Sequence, residues 1–116
     1  MKPADTPNTQ LALRFAQAMA AGDAAQAHGL LSPGLQAEVT REKLARDYAE
    51  MIAYGRGAPT ILQVMNTMTS WPDKGPSDNE WVYVAIANDT YSEAVTVIVA
   101  REASRLVIRS VEWGRP

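Results

Sequence analysis

The stretch EWVYVAIANDTYSEAVTVIVARE, residues 80–102, decides the fold. It is two β-rich runs, EWVYVAIAND and SEAVTVIVARE, joined through Asn88-Asp89-Thr90-Tyr91. Asn and Asp tolerate left-handed backbone and turn the chain, so the connection reads as a hairpin. Side chains alternate between the faces of a strand, so Val82, Val84 and Ile86, with Val95, Val97 and Val99, form one apolar face. That leaves Trp81, Tyr83, Ala85 and Ala87, with Ala94, Thr96, Ile98 and Ala100, on the other. This second face of the two strands carries no charged residue, whereas an open sheet face normally presents Lys, Glu, Thr and Arg to water.

Two more runs flank the hairpin. TILQVMNTMTSW (60–71) precedes it across the Pro/Gly-rich loop Pro72–Asn79, and SRLVIRSVEW (104–113) follows it after a turn at Glu102-Ala103-Ser104. The short connections predict an antiparallel meander of four strands. Upstream the period changes. Leu11, Phe15, Ala18, Met19 and Gly22 recur at helical spacing, with Thr6 or Asn8 as N-cap and Pro7 in the first turn. Gly22 stops this first helix, and Asp23 starts a second, about Ala24–Leu31, with Gln26 at the third position of a capping box. Ser32-Pro33 ends it, and Pro33 opens one further turn through Leu35 and Val39. Thr40 caps a third helix, roughly Arg41–Tyr54, with Leu44, Tyr48, Met51 and Ile52 along one face. The expected fold is α+β: a single domain over 1–116, a flexible leader at 1–7, and three N-terminal helices on one face of a four-stranded antiparallel sheet, in the order αααββββ.

Composition narrows the function. The chain has 116 residues, 47% hydrophobic and 21% charged, in the range of globular domains. Its net charge is −2 and its basic residues are scattered, so no phosphate-binding stripe forms and nucleic acid is not an expected partner. It has no cysteine, which removes disulfides, thiolate nucleophiles and Cys-based metal sites. No apolar run is long enough to span a membrane. The polar start predicts a cytoplasmic location; an exported chain after trimming would begin in the same way.

No catalytic motif is assembled. His28, the only histidine, has no acidic residue at helical spacing and reads as a helix residue, not a general base. Asp47 and Glu50 read as solvated. Asn88–Tyr91 is a turn first and a polar strand end second. No phosphate loop or metal-ligand spacing is present, and no cofactor is expected.

The helix–Gly22–Asp23–helix pattern, continuing through Phe15, Ala18, Ala27 and Leu30–Pro33 to a last strand with Leu106, Ile108, Val111 and Glu112, resembles the nuclear-transport-factor-2-like superfamily, also described as cystatin-like or SnoaL-like. The chain is similar to a short variant of it, without the extra hairpin before the third helix. The resemblance implies a cone-shaped α+β domain with a shallow pocket, in a fold that serves isomerases, dehydratases, hydrolases, transport adaptors and immunity proteins alike.

Two readings of function follow. The first is a non-catalytic binding or accessory domain, of the immunity-protein kind, acting through the sheet face. Trp81, Tyr83, Thr96, Ile98 and Trp113, with Met65 at the edge, then form an interface to a second copy or another protein. The alternative is a small isomerase- or dehydratase-like enzyme, or a carrier of an apolar small molecule. It uses a pocket between the third helix and the sheet lined by Tyr48, Met51, Ile52, Met68 and Trp71.

Overall fold

The computed structural model describes residues 5–114. Four helices precede four strands: α1 Pro7–Ala20, α2 Ala24–Gly29, α3 Pro33–Glu38, α4 Arg41–Met51, β1 Ile61–Met68, β2 Asp78–Asn88, β3 Tyr91–Glu102 and β4 Arg105–Trp113. The chain is therefore α+β, with one helix more than the sequence pattern predicts. The extra element is the turn after Pro33. Pro33 occupies its first position and the Ser32 hydroxyl accepts from the Leu35 N–H, which is enough to close a short helix. The third helix of the sequence pattern is α4, and it stops at Met51 instead of Tyr54.

Helix boundaries follow from caps. Of the expected leader, residues 1–4 lie outside the described residues, while Thr6 and Pro7 already belong to the start of α1. Thr6 is the N-cap: its hydroxyl accepts from the Thr9 N–H, and the Thr9 hydroxyl accepts in return from the Thr6 N–H. At the other end Gly22 takes a φ of +76°. There the Gly22 N–H donates to the Met19 carbonyl and the Asp23 N–H to the Ala18 carbonyl, at 3.1 and 2.9 Å. This is the Schellman arrangement, which needs a left-handed residue at the position Gly22 fills. Asp23 then caps α2 by accepting from the Gln26 N–H.

The sheet is an antiparallel meander in the order β1-β2-β3-β4. Val82 lies opposite Val97, and Val84 opposite Val95. These residues, with Ile86, Val99 and Ile108, join Leu11, Phe15, Met19, Leu31, Leu44 and Tyr48 of the helical half in one core. Both sheet edges are open to neighbours, but part of β4 is covered. The Ser32 N–H donates to the Ile108 carbonyl, and the Ile108 N–H donates to the Leu30 carbonyl, pairing the α2–α3 connection along that edge.

Two turns carry the hairpins. Ala103 and Ser104, between β3 and β4, have φ of 50° and 66°. A two-residue hairpin turn with both residues left-handed favours Asn-Gly, and Ala and Ser pay a steric cost there. Replacing Ala103-Ser104 by Asn-Gly should therefore stabilise the protein by about 1 kcal/mol, seen as a higher urea midpoint with an unchanged slope. At the other end, Asn88 fastens the β2–β3 turn to the segment after α4. Its side-chain amide donates to the Arg56 and Ala58 carbonyls, and its side-chain oxygen accepts from the Thr90 and Tyr91 N–H groups. Gly55 lies so close to this turn that a Cβ there would sit 2.6 Å from the Tyr91 ring and 2.8 Å from the Thr90 carbonyl oxygen. Gly55→Ala should cost about 1–3 kcal/mol by overpacking, while Gly34→Ala, which meets nothing within 4 Å, serves as the neutral control in the same thermal melts.

Candidate functional site

The open face of the sheet is built by strand alternation and then altered by three register shifts, at Met65 in β1, Asn79 in β2 and Arg109 in β4. Trp81 lies opposite Ile98, Tyr83 opposite Thr96, and Ala85 opposite Ala94. None of these six belongs to the core shared with the helices. The Trp81 and Tyr83 rings, two residues apart on one strand, stack at 6.1 Å with an interplanar angle of 14°. Ala94 and Ala100 have no exposed surface and Thr96 only 7%, although they lie on this face. Trp81, Tyr83 and Ile98 stay half-buried, a ridge standing above small residues.

Trp113 leaves this face. Ser110 pairs with Ile98 but Ile108 pairs with Val99, so Arg109 is an extra residue in β4. One inserted residue moves every later side chain to the opposite face. Val111 and Trp113 consequently turn to the core side, where Trp113 packs on Phe15 at 5.8 Å and on Tyr48 edge-to-face at 5.9 Å. Val107 stays on the open face, opposite Ala100. Met65 is the corresponding bulge residue of β1, between Val64 opposite Val84 and Asn66 opposite Tyr83, and is 52% exposed at the sheet edge. Asn66 and Met68 take the open-face positions beyond it, with Met68 opposite Trp81.

The face is also not free of charge. Asp78, opposite Ala100 at the start of β2, receives a two-pronged ion pair from Arg109, Nε to Oδ1 at 2.6 Å and Nη2 to Oδ2 at 2.7 Å. The Gly75 N–H donates to the same carboxylate at 2.7 Å. The Arg109 hydrogen bonds, opposed by burial and helped by the Gly75 N–H, hold the Asp78 carboxyl below the usual carboxylate range. The pair spans β3 and ties the start of β2 to β4. Sequence reading missed it because Asp78 falls in a loop-like PSDN stretch and Arg109 in an apolar run; the extra residue Asn79, between Asp78 opposite Ala100 and Glu80 opposite Val99, brings Asp78 to this face. Glu112, opposite Thr96, is an exposed carboxylate on the same surface.

The five pocket residues are not brought together. Tyr48 is buried against Trp113, and Met51 and Ile52 pack on the core, but Met68 lies on the opposite side of the sheet. Trp71 sits in the loop after β1, its carbonyl accepting from the Lys74 N–H. The Tyr48 hydroxyl and the Trp71 indole N–H are both buried without a hydrogen-bond partner. Burial, and secondarily Tyr91, raises the Tyr48 hydroxyl to about 12, so it stays protonated at any physiological pH. The cleft that Tyr48 does line, of about 200 Å³, lies among Met19, Ala20, Gly22, Ala24 and Ala45, between the α1–α2 junction and the middle of α4 and not against the sheet.

The remaining candidates are structural. His28 Nε2 lies 2.8 Å from the Val39 carbonyl, and since a carbonyl only accepts, that nitrogen carries the hydrogen. Gln36 donates to the His28 carbonyl, so the pair fastens α3 to α2. Lys43 pairs with Asp47 at 2.6 Å on an exposed helix turn, and Glu50 is exposed. Asn88–Tyr91 is the clamp already described. Among the described residues no three His, Asp or Glu side chains gather as a metal-ligand set, and no helix is long and apolar enough to cross a membrane. Compared with protein-family models, curated proteins and solved structures, the chain matches none.

Asp78 supplies a pH test. Its carboxyl is lowered in the fold, so its contribution is present above the unfolded value and lost as pH falls through the folded one. Wild type should therefore weaken below about pH 4 more steeply than Asp78→Asn. At neutral pH that substitution should cost about 1–2 kcal/mol, a modest figure because the Arg109 side chain is 40% exposed. Urea titrations at several pH values check both.

Proposed function

We propose that the protein is a binding domain that works through the open face of its sheet, against another protein surface. One observation carries this: Trp81 and Tyr83 stacked beside Ile98, a half-exposed ridge of aromatic and aliphatic side chains over buried alanines. Large rings with few rotatable bonds are what the centres of protein interfaces use, and the flanking Asp78–Arg109 pair and Glu112 have the place of a polar rim. Each half-buried ring or Ile covered by a partner adds on the order of 1 kcal/mol of apolar burial. The reading takes the helices as covering the other face of the sheet. Its support is that Phe15, Leu44 and Tyr48 share a core with Val82, Val84, Val95 and Val97 and with none of the ridge residues.

The resemblance to the nuclear-transport-factor-2-like superfamily belongs to the same proposal, supported by the α-then-β order and the Gly22–Asp23 helix break. The enzyme and carrier reading loses its main support, because Met68 lies across the sheet from Tyr48, Met51 and Ile52.

The test is photo-crosslinking in cells, which does not require the partner to be known beforehand. A photoreactive residue at Ile98 should give protein adducts, and the same residue at exposed Arg46 on α4 should not. Tyr83→Arg should abolish the adducts from position 98 while leaving the melting curve in place. Equal labelling from both positions, or none from position 98, overturns the reading.

A further inference from the structure

The two edges of the sheet are finished differently. The β4 edge is blocked in part by the α2–α3 connection, where the Ser32 N–H donates to the Ile108 carbonyl and the Ile108 N–H to the Leu30 carbonyl. That strand also carries Arg105, Arg109 and Glu112. The β1 edge has no such protection. Among the described residues β1 pairs with β2 alone, and its sequence ILQVMNTM holds neither a charge nor a proline. Edge strands are normally blunted by Lys, Pro or a cover, because a bare row of N–H and C=O groups templates another strand. We propose that a second copy of this chain covers the β1 edge. Its β1 runs antiparallel to the first about a two-fold axis normal to the sheet at Gln63, joining two four-stranded sheets into one. The pairing leaves Trp81, Tyr83 and Ile98 uncovered, so it stands apart from the binding reading above.

The residues of β1 select the register. Among the described residues the large apolar side chains that stand exposed are Tyr54, Ile61 and Met65. Ile61 and Met65 lie on this edge, two positions to either side of Gln63. Leu62 and Val64, one position to either side, pack on the core and remain half-buried. Residues opposite each other in an antiparallel pair share a face. An axis at Gln63 therefore sets Ile61 against Met65 of the second copy, and Leu62 against Val64, so each incompletely covered side chain meets another on its own face. Gln63 meets itself, and its amide, which both donates and accepts, is complementary to its own copy. Moving the axis to Leu62 sets Ile61 against Gln63, and moving it to Val64 sets Met65 against Gln63. Pairing ends at the Met65 bulge, and beyond it the Thr67 N–H is already taken by the Asn66 side chain at 2.9 Å. The run Ile61–Met65 covers about 17 Å of edge, short of a standard interface, so the dimer is reversible with a Kd on the order of 100 µM. With the β4 edge blocked, association closes at two copies.

Sedimentation of the full chain from about 10 µM to about 1 mM reads the proposal directly. Wild type should pass from monomer to dimer across this range and grow no further. Ile61→Lys and Met65→Glu should each raise the Kd at least about tenfold, since a charge then faces an apolar side chain across the new pairing. An equimolar mixture of the two variants should dimerise again, because the introduced charges are opposite and face each other. Positions 61, 63 and 65 are exposed, so the variants keep their fold, which thermal melts check. The chain has no cysteine, so an introduced one reports its own position. Gln63→Cys should be joined to its own copy by a short bismaleimide, and Ile98→Cys should not. A chain still monomeric at about 1 mM, growth beyond two copies, or a dimer indifferent to both charges overturns the proposal. So does a crosslink from position 98 in place of position 63.

Discussion

Val82 and Val84 of β2 stand against Val97 and Val95 of β3, and all four side chains are fully withdrawn from water, as are those of Ile86 and Val99. Burial on this scale contributes on the order of 10 kcal/mol, comparable to the whole net stability of a small domain. Register on the central hairpin is therefore not negotiable. A slip of one residue would take the valines out of the core they share with Phe15, Leu44 and Tyr48 and put Trp81, Tyr83 and Ile98 in their place. Everything else in the sheet accommodates that pairing. The helices bring Phe15, Leu44 and Tyr48 to it, and the Asn88 clamp closes its turn.

The outer strands adapt through bulges. β1 gains Met65 and β4 gains Arg109, one extra residue each against a regular partner. In β4 the extra residue lets a single strand serve both faces. Val107 and Ser110 lie outward on either side of Arg109, and Ile108, Val111 and Trp113 lie inward. Without it, Trp113 could not reach Phe15 and Tyr48 while Val107 stayed opposite Ala100. Trp113 in the core is the result of the residue inserted in β4, and Asp78 beside Arg109 is the result of a second one, Asn79, in β2.

The residue inserted in β4 also marks where sequence reading stops. The α-then-β order, the Thr6, Asp23, Ser32 and Thr40 caps, the Gly22 stop and the alternation of β2 and β3 are local signals, each settled within a few residues, and they were legible. The short helix after Pro33 was visible as a turn but not as an element. Alternation was legible only where it was unbroken. Counting by twos along β4 sends Val107, Val111 and Trp113 to one face, and nothing in RLVIRSVEW signals that Arg109 is not counted. The supposed pocket failed for the same reason at one remove: Met68 follows the β1 bulge and belongs with Trp81, not with Tyr48.

Arg109 then links fold to surface. An arginine bulged out of a strand needs a carboxylate near it, and Asp78 supplies one with almost no exposed area of its own, fixed further by the Gly75 N–H. The guanidinium is thereby held in place within the single chain, so under the proposed binding reading docking against it would cost little side-chain entropy. A solvated lysine there would carry the same charge, but it would have to be ordered at the moment of contact. The ridge of Trp81 and Tyr83 has the same property, because each ring packs on the other in the single chain. Both the apolar centre and the charged rim of the open face are thus fixed by contacts within one chain. In the binding reading proposed above, that arrangement lowers the side-chain entropy that docking would cost.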